Sequence, residues 1–123
     1  MRNSLWPLLA LILALSGCVA GRGCLLLQPV KHTLTGRIHF RSFPAADGID
    51  NVPVLTLDRT AYLYVPAQSF QCLSATDLQL VGVAEFPENV IENSHVSVNG
   101  SLFTAASPRE HTQFLMNVKM LLP

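Results

Sequence analysis

The sequence predicts an all-β domain behind an N-terminal export signal. Three observations favour β-structure: apolar and polar residues alternate with a period of two in several segments, helical periodicity is weak, and the prolines are spread along the chain. Prolines at such spacing break helices and leave short strands between turns. The chain carries no internal repeat of solenoid length, and its length suits one domain.

The clearest strand is Thr33–Phe40, where Leu34 and Ile38 alternate with the outward-facing Arg37 and His39. The same period-two pattern predicts five further strands: Val52–Asp58, Ala61–Val65, Asp77–Ala84, His95–Thr104 and Thr112–Leu121.

Turn-forming residues predict the connections between these strands. Ser42–Asn51 reads as a loop because it contains Pro, Asp-Gly and Asp-Asn. A tight turn is expected at Asp58–Thr60, and a polar connection containing Cys72 is expected over Pro66–Thr76.

Two glycines occupy inward positions of their strands and point to a barrel. Gly36 lies in Leu-Thr-Gly-Arg-Ile and Gly100 in Val-Asn-Gly-Ser-Leu. Strands that coil sharply to close a small barrel need a glycine or bulge at the bend. The sequence therefore predicts a small antiparallel Greek-key barrel of the OB type with five or six strands, and a small β-sandwich is the alternative. Asn99-Gly100 has a second interpretation as a hairpin turn between two shorter strands.

The N-terminus has the pattern of a lipoprotein signal peptide. Leu5–Leu15 is apolar apart from one proline and spans roughly 16 Å as a helix, about half of a bilayer core. Leu-Ser-Gly-Cys ends at Cys18 and resembles the lipobox, in which the signal is cut immediately before a lipidated cysteine. The predicted divisions are therefore a signal peptide over 1–17, a lipidated tether over 18–28 and a single β-domain over 29–123. Ordinary cleavage after Ala20 is the alternative.

Cleavage before Cys18 determines how many cysteines remain for a disulfide and what net charge the processed chain carries. It leaves Cys24 and Cys72 in an exported chain, and an even remainder in an oxidising compartment favours a disulfide over two free thiols. Losing Arg2 with the signal leaves seven basic and eight acidic side chains, too balanced for the basic field that nucleic-acid binding needs. By resemblance to known lipoproteins, Val19 after the cysteine favours the outer membrane, periplasmic side; a soluble periplasmic protein is the alternative.

Few side chains suggest chemistry. The outward row Arg37, His39 and Arg41 is a possible ligand-binding surface together with His111, although charged side chains on a strand more often serve solvation or edge protection. The four histidines lack the close spacing of metal ligands, so neither a metal nor another cofactor is predicted. Cys72 and His111 form a conceivable nucleophile–base pair, but a periplasmic thiol that can pair with Cys24 is expected to do so.

Short motifs along most of the chain resemble a small bacterial family known as domain of unknown function 4431. They are CL at 24–25, TLTG at 33–36, FP at 43–44, VSVNGSLF at 96–103 and HT at 111–112. The resemblance implies an exported protein and a shared fold, and the family has no assigned activity.

The chain departs from that family at three places, one of which is the loop at 45–51, shorter than the family's usual one. The family's middle cysteine would fall near Tyr62, whereas this chain has Cys72 about ten residues later. Of the family's histidine cluster only His111 remains, because Arg109 and Glu110 occupy the other positions.

These observations predict an outer-membrane, lipid-anchored protein that is not an enzyme and acts as a binding or accessory module of the cell envelope. Its expected partners are the membrane, through the lipid, and an envelope protein or a small ligand, but not nucleic acid. The alternatives are an OB-type ligand-binding domain and an enzyme that uses His111 with Cys72 or carboxylates.

Overall fold

A computed structural model describes residues 23–67 and 71–123, which form six strands and no helix. The strands are β1 (Cys24–Leu26), β2 (Lys31–Ala45), β3 (Gly48–Val65), β4 (Gln71–Val81), β5 (His95–Thr104) and β6 (Phe114–Leu122). The predicted signal peptide, its cleavage site and Cys18 lie outside the described residues. Within the described part of the chain, no helix could cross a bilayer.

Five of the strands close into a barrel. β3 pairs with β2, β2 with β5, β5 with β6, β6 with β4, and β4 pairs back onto β3. β4 and β6 run parallel, while the other four pairings are antiparallel. The structure thus confirms the all-β, OB-like barrel, excludes an open sandwich, and adds parallel pairings to the antiparallel ones expected.

β1 is an extra strand that is held to the barrel by a covalent bond. It runs parallel to the end of β3, with Cys24 opposite Tyr62. Cys24 is disulfide-bonded to Cys72 at the start of β4, with 6.1 Å between the two Cα atoms and 48 residues between them in sequence. In the chain-entropy model, a cross-link closing such a loop stabilises the fold by about 4 kcal/mol.

β3 is longer than the sequence pattern indicated. The predicted strands Val52–Asp58 and Ala61–Val65 are one continuous strand, and the tight turn expected at Asp58–Thr60 is wrong. A β-bulge between Thr56 and Ala61 shifts the register against β4 and leaves Asp58, Arg59 and Thr60 exposed, while Leu57 is partly buried. A bulge bends a strand without ending it, so turn-like residues in it mimic a turn in the sequence.

Two predicted connections are also strand for much of their length. The loop expected at Ser42–Asn51 is the end of a hairpin between β2 and β3, whose last paired residues are Ala45 and Gly48. The connection expected at Pro66–Thr76 is shorter, because β4 begins at Gln71. β5 has the predicted bounds and runs unbroken through Asn99-Gly100, which rules out the hairpin interpretation.

Gly36 and Gly100 stand where two strands approach too closely for a side chain. A Cβ atom at Gly36 would overlap the carbonyl oxygen of Thr56, and one at Gly100 would overlap that of Asn117. Both glycines are buried, on β2 and β5 respectively. They permit the sharp coiling that closes the barrel.

The barrel interior is filled by aliphatic side chains and one phenylalanine. Full burial of one such side chain contributes about 1.5–3 kcal/mol. The largest fully buried side chains of this cluster are Ile38, Leu55, Leu63, Leu78, Leu102, Phe114 and Met116.

A second buried layer lies on the other face of the sheet. Gln79 follows the core residue Leu78, so its side chain points away from the interior. Its neighbours across the strands are Val54 and Leu115, both 0 % exposed and both outside the core cluster. Another part of the chain must therefore cover this outer face.

Replacing Gly36 by Ala should lower the free energy of unfolding by about 1–3 kcal/mol, because the added methyl group overlaps the backbone of β3. Urea denaturation followed by far-UV circular dichroism measures the change. Ser74→Ala, at an exposed position of β4, is the matched control and should change stability by less than about 0.5 kcal/mol. A Gly36→Ala protein as stable as the control would contradict the close approach.

Candidate functional site

The outer layer is covered where a hairpin and a loop meet. We call residues 41–52, the end of the β2–β3 hairpin, the arm, and residues 105–113, between β5 and β6, the strap. OB barrels bind ligands on the face of their second and third strands, between the loops joining strands one to two and four to five. In this barrel those strands are β3 and β4, and those loops are the tip of the arm and the strap.

One carboxylate of the arm holds two side chains of the strap. Asp50 Oδ2 lies 3.0 Å from Nε2 of His111, and Asp50 Oδ1 accepts a hydrogen bond from Arg109 Nη1 at 3.2 Å. The His111 and Asp50 side chains are 11 % and 10 % exposed. Arg109 also reaches Asp47 at 3.1 Å, but both of those side chains are largely exposed, so this second ion pair is worth less.

Gln79 fastens the strap to the barrel from below. Its side-chain amide donates to the carbonyl of Arg109 at 3.0 Å, and its oxygen accepts from the backbone N–H of His111 at 2.7 Å. Its own backbone N–H donates to the Thr112 hydroxyl at 2.9 Å. A buried side-chain amide needs partners for both its NH2 group and its oxygen, and here both partners belong to the strap.

The His111 ring also stacks on the arm. Its centroid lies 4.4 Å from that of Phe43, with the ring planes 2° from parallel. Among the described residues, Asp50 is the hydrogen-bond partner of this ring. The conceivable partner Cys72 is bound to Cys24 and is not a thiol in this structure. Among the described residues, the geometry therefore joins His111 to a carboxylate of the arm and gives it no thiol nucleophile.

The predicted row of Arg37, His39 and Arg41 lies on the outer face of β2, and each member contacts another segment. Arg37 donates to the carbonyl of Asn93, and His39 Nδ1 lies 2.6 Å from Oε2 of Glu92. Arg41 approaches Asp77 of β4 at 3.4 Å. The structure brings the row together with these partners, and it places His111 with the arm and strap.

The segment over 82–94 continues along the edge of β2 where β5 leaves it. Ile38 donates to the carbonyl of Ser94 and accepts from the N–H of Asn93, while the Phe40 N–H donates to Glu92 at 2.7 Å. Phe86 packs edge-on against Phe40. This edge of β2 is therefore covered as far as Phe40.

Two carboxyl groups on this side of the barrel have a lowered pKa. The pKa of Glu92 lies below its ordinary value of 4.5 because the Phe40 N–H and then the His39 ring donate to it. The pKa of Asp58 lies below 3.8 because His95, at 2.6 Å, and then Thr35 donate to it. Hydrogen bonds to the ionised form favour ionisation.

A cleft of about 240 Å³ opens beside the strap, on the outer part of β4. Asp77 lies at its edge and is also bonded to Thr56 and Arg41. The cleft is lined by Ser74, Ala75, Thr76, Asp77, Thr112, Gln113 and Phe114. In the ranges 23–67 and 71–123, no group of three or more His, Cys, Asp or Glu side chains has the arrangement of a metal site.

Sequence reasoning missed the partners that hold the site together. The sequence pattern places Asp47 and Asp50 in a loop and Gln79 in a strand, and it indicates no partner for any of them. The signal available for Gln79 was a polar residue between apolar neighbours in Leu-Gln-Leu-Val, which also fits a strand with one solvated face. Glu92 lies 53 residues from His39 in sequence, so no local pattern indicates their contact.

Comparison with protein-family models, with curated proteins and with solved structures finds no match to this chain.

Asp50→Ala should destabilise the protein by about 2 kcal/mol, because it removes the acceptor of both Arg109 and His111 in a nearly buried position. Hydrogen exchange should rise first in the strap. Asp47→Ala is the matched control, since its 73 % exposed carboxylate contacts Arg109 alone among the described residues, and its effect should be far smaller. Equal effects of the two substitutions would contradict the inference that Asp50 holds the strap to the arm.

Glu92→Gln should lower the urea midpoint at pH 7. A carboxyl whose pKa is lower in the folded than in the unfolded chain stabilises the fold above its unfolded pKa, and this stabilisation is lost as the pH falls through the folded pKa. The difference from the unsubstituted protein should therefore shrink as the pH drops below 4.5. Glu88→Gln, in the same segment, is the control; a Glu92→Gln deficit that does not depend on pH would contradict this assignment.

Proposed function

We propose that this protein is an outer-membrane lipoprotein whose β-barrel stands on the periplasmic side and acts by binding an envelope component rather than by catalysis. The observation that carries the proposal is the use of the three cysteines. The Cys24–Cys72 bond accounts for two of them and leaves Cys18, in the lipobox, for the lipid.

The bond also supports the proposed compartment. Structural disulfides persist in oxidising environments such as the periplasm and are rare in the cytosol. This bond fastens β1, the first described strand, which lies inside the predicted tether over 18–28, to β4 of the barrel. The disulfide therefore ties the segment that leads to the proposed lipid directly to the barrel.

The arrangement of the polar side chains supports binding over catalysis. His39, His95 and His111 each contact a carboxylate: His39 joins β2 to the 82–94 segment, His111 joins the strap to the arm, and His95 joins the start of β5 to Asp58 in the bulge of β3. A general base must lie within hydrogen-bond reach of the proton that it takes from a substrate or from a nucleophile. The groups described around His111 serve packing: Phe43 on its ring face and Asp50 on its ring nitrogen.

A second candidate function is the capture of a small ligand at the cleft beside the strap. The observation in its favour is position: the cleft lies on β4 next to the strap, where OB barrels bind oligomeric ligands. Its hydroxyl and amide side chains suit an uncharged, hydroxyl-rich ligand better than an anion, because the charged group at its edge is the carboxylate of Asp77.

The anchor is tested by the intact mass of the protein extracted from membranes, before and after reduction. A triacylated N-terminus at Cys18 and a two-proton deficit that disappears on reduction are expected. Val19→Asp should move the protein from the outer to the inner membrane on a density gradient, and Val19→Ser should leave it in place. An unlipidated chain beginning near Gly21 would overturn the proposed anchor.

The mode of action is tested separately with His111→Gln, which keeps an N–H that can face Asp50. A folded variant with this change should retain the cellular role, measured as the envelope phenotype of a deletion strain carrying it. Loss of the role in a variant of normal stability would favour an enzyme. Loss with Thr76→Ala and Gln113→Ala, but not with His111→Gln, would favour the ligand cleft.

A further inference from the structure

The tether leaves little freedom in how the barrel meets the bilayer, if Cys18 carries the lipid as proposed above. Gly23 is the first described residue, and only five peptide steps separate it from Cys18. Such a segment spans at most about 18 Å when fully extended. The start of β1 is thus held within reach of the headgroups, and so is whatever surface surrounds it.

That surface exposes two large side chains of the kind found at membrane interfaces. Leu26 of β1 is 49 % exposed and Tyr62 of β3 is 50 % exposed. Leu26 lies opposite Tyr64, and Tyr64 stands two residues beyond Tyr62 on the same strand, so Leu26 and Tyr62 point to the same side of the sheet. We call these two side chains the β1 patch.

The patch is polar only in the tyrosine hydroxyl and lacks charge. Its described neighbours on that side, by register, are Cys24, Tyr64, Cys72 and Ser74. Between Cys18 and Ala46 the sequence contains no Asp or Glu, while Arg22 and Lys31 flank β1. A neutral apolar surface flanked by basic residues is complementary to an anionic bilayer interface, where tyrosine is enriched at the headgroup level.

We infer that the barrel docks against the bilayer through the β1 patch, with Leu26 and Tyr62 in the interfacial region. This inference rests on the proposed lipid at Cys18. It makes the β1 patch a membrane-contact surface rather than a protein-binding one. It also sets an orientation, because β3 begins in the arm at Gly48 and ends beside the patch at Val65, so that the arm and the patch occupy opposite ends of this strand.

The chain offers a clean fluorescence test. Its single tryptophan is Trp6, which precedes Cys18, so the processed protein contains none. Lipidated Tyr62→Trp protein, extracted from membranes, is reconstituted into vesicles of phosphatidylethanolamine and phosphatidylglycerol, with and without lipids brominated near the headgroups. Ile91→Trp, at a 65 % exposed position of the 82–94 segment, is the matched control.

Brominated lipid should quench the indole of Tyr62→Trp at least about twofold more than that of Ile91→Trp, with emission shifted to the blue. Replacing phosphatidylglycerol by phosphatidylcholine, or introducing Lys31→Glu, should reduce the quenching, whereas Lys119→Glu on β6 should not. Equal quenching of the two indoles would overturn the inference. A blue shift without quenching would also overturn it, since protein would then cover the patch.

The mass of each reconstituted sample separates the two proposals. A lipidated protein whose Tyr62→Trp indole is not quenched overturns the docking face and leaves the anchor intact. A protein that lacks the lipid on Cys18 overturns the anchor, and the docking inference with it.

Discussion

The fold depends on two places where backbone touches backbone. At Gly36 against Thr56, and at Gly100 against Asn117, neighbouring strands approach so closely that only hydrogen fits in place of a side chain. This contact allows β2 and β5 to coil, with a register shift in the β5–β6 ladder between Asn99 and Gly100, and coiling is what lets β4 return to β3 and close the barrel. Closure of the barrel pairs the edges of its strands. The arm extends beyond the barrel, so closure does not protect the strand edges there.

Open strand edges on the arm would allow unwanted pairing with strands of other chains. Ile38 and Phe40 send their N–H groups to the edge facing Ser94 and Glu92, so the even-numbered residues of β2 face that edge. Along the same edge, Ser42 and then Pro44 follow Phe40, and Pro44 has no N–H to offer a foreign strand. On β3, Pro53 interrupts the opposite edge just before the pairing with β4 begins at Val54. Proline on a strand edge blocks pairing with a foreign strand, which favours recognition through the side chains of the arm over strand addition.

Local patterns were sufficient to predict the barrel but not the site. The period-two alternation in β5 and the inward glycines depend on a few adjacent residues, and they identified the fold class and the bounds of His95–Thr104. The bulge in β3 was mistaken for a turn, because Asp58, Arg59 and Thr60 have the same residue preferences in both. The partners of the site are separated by 61 residues for His111 and Asp50, and 53 for His39 and Glu92. Such pairings arise only from the closed topology, and no local pattern encodes them.

Many outward polar groups of the barrel contact its own loops, which limits the charged groups that are available to a ligand. Asp47, Asp50, Arg109 and His111 contact one another where the arm meets the strap. Glu110 is occupied as well, because it accepts from the backbone N–H groups of Ala106 and Ser107 within the strap. Exposed groups on this side include the charged side chains of Arg109 and Asp47, 69 % and 73 % exposed, and the apolar tip residue Ile49, which is 69 % exposed. Contacts through Ile49 and through uncharged polar groups depend on shape, and their strength, unlike that of charged contacts, is little affected by salt. The lipid proposed at Cys18 would supply a near-neutral domain with the local concentration that electrostatic attraction would otherwise provide.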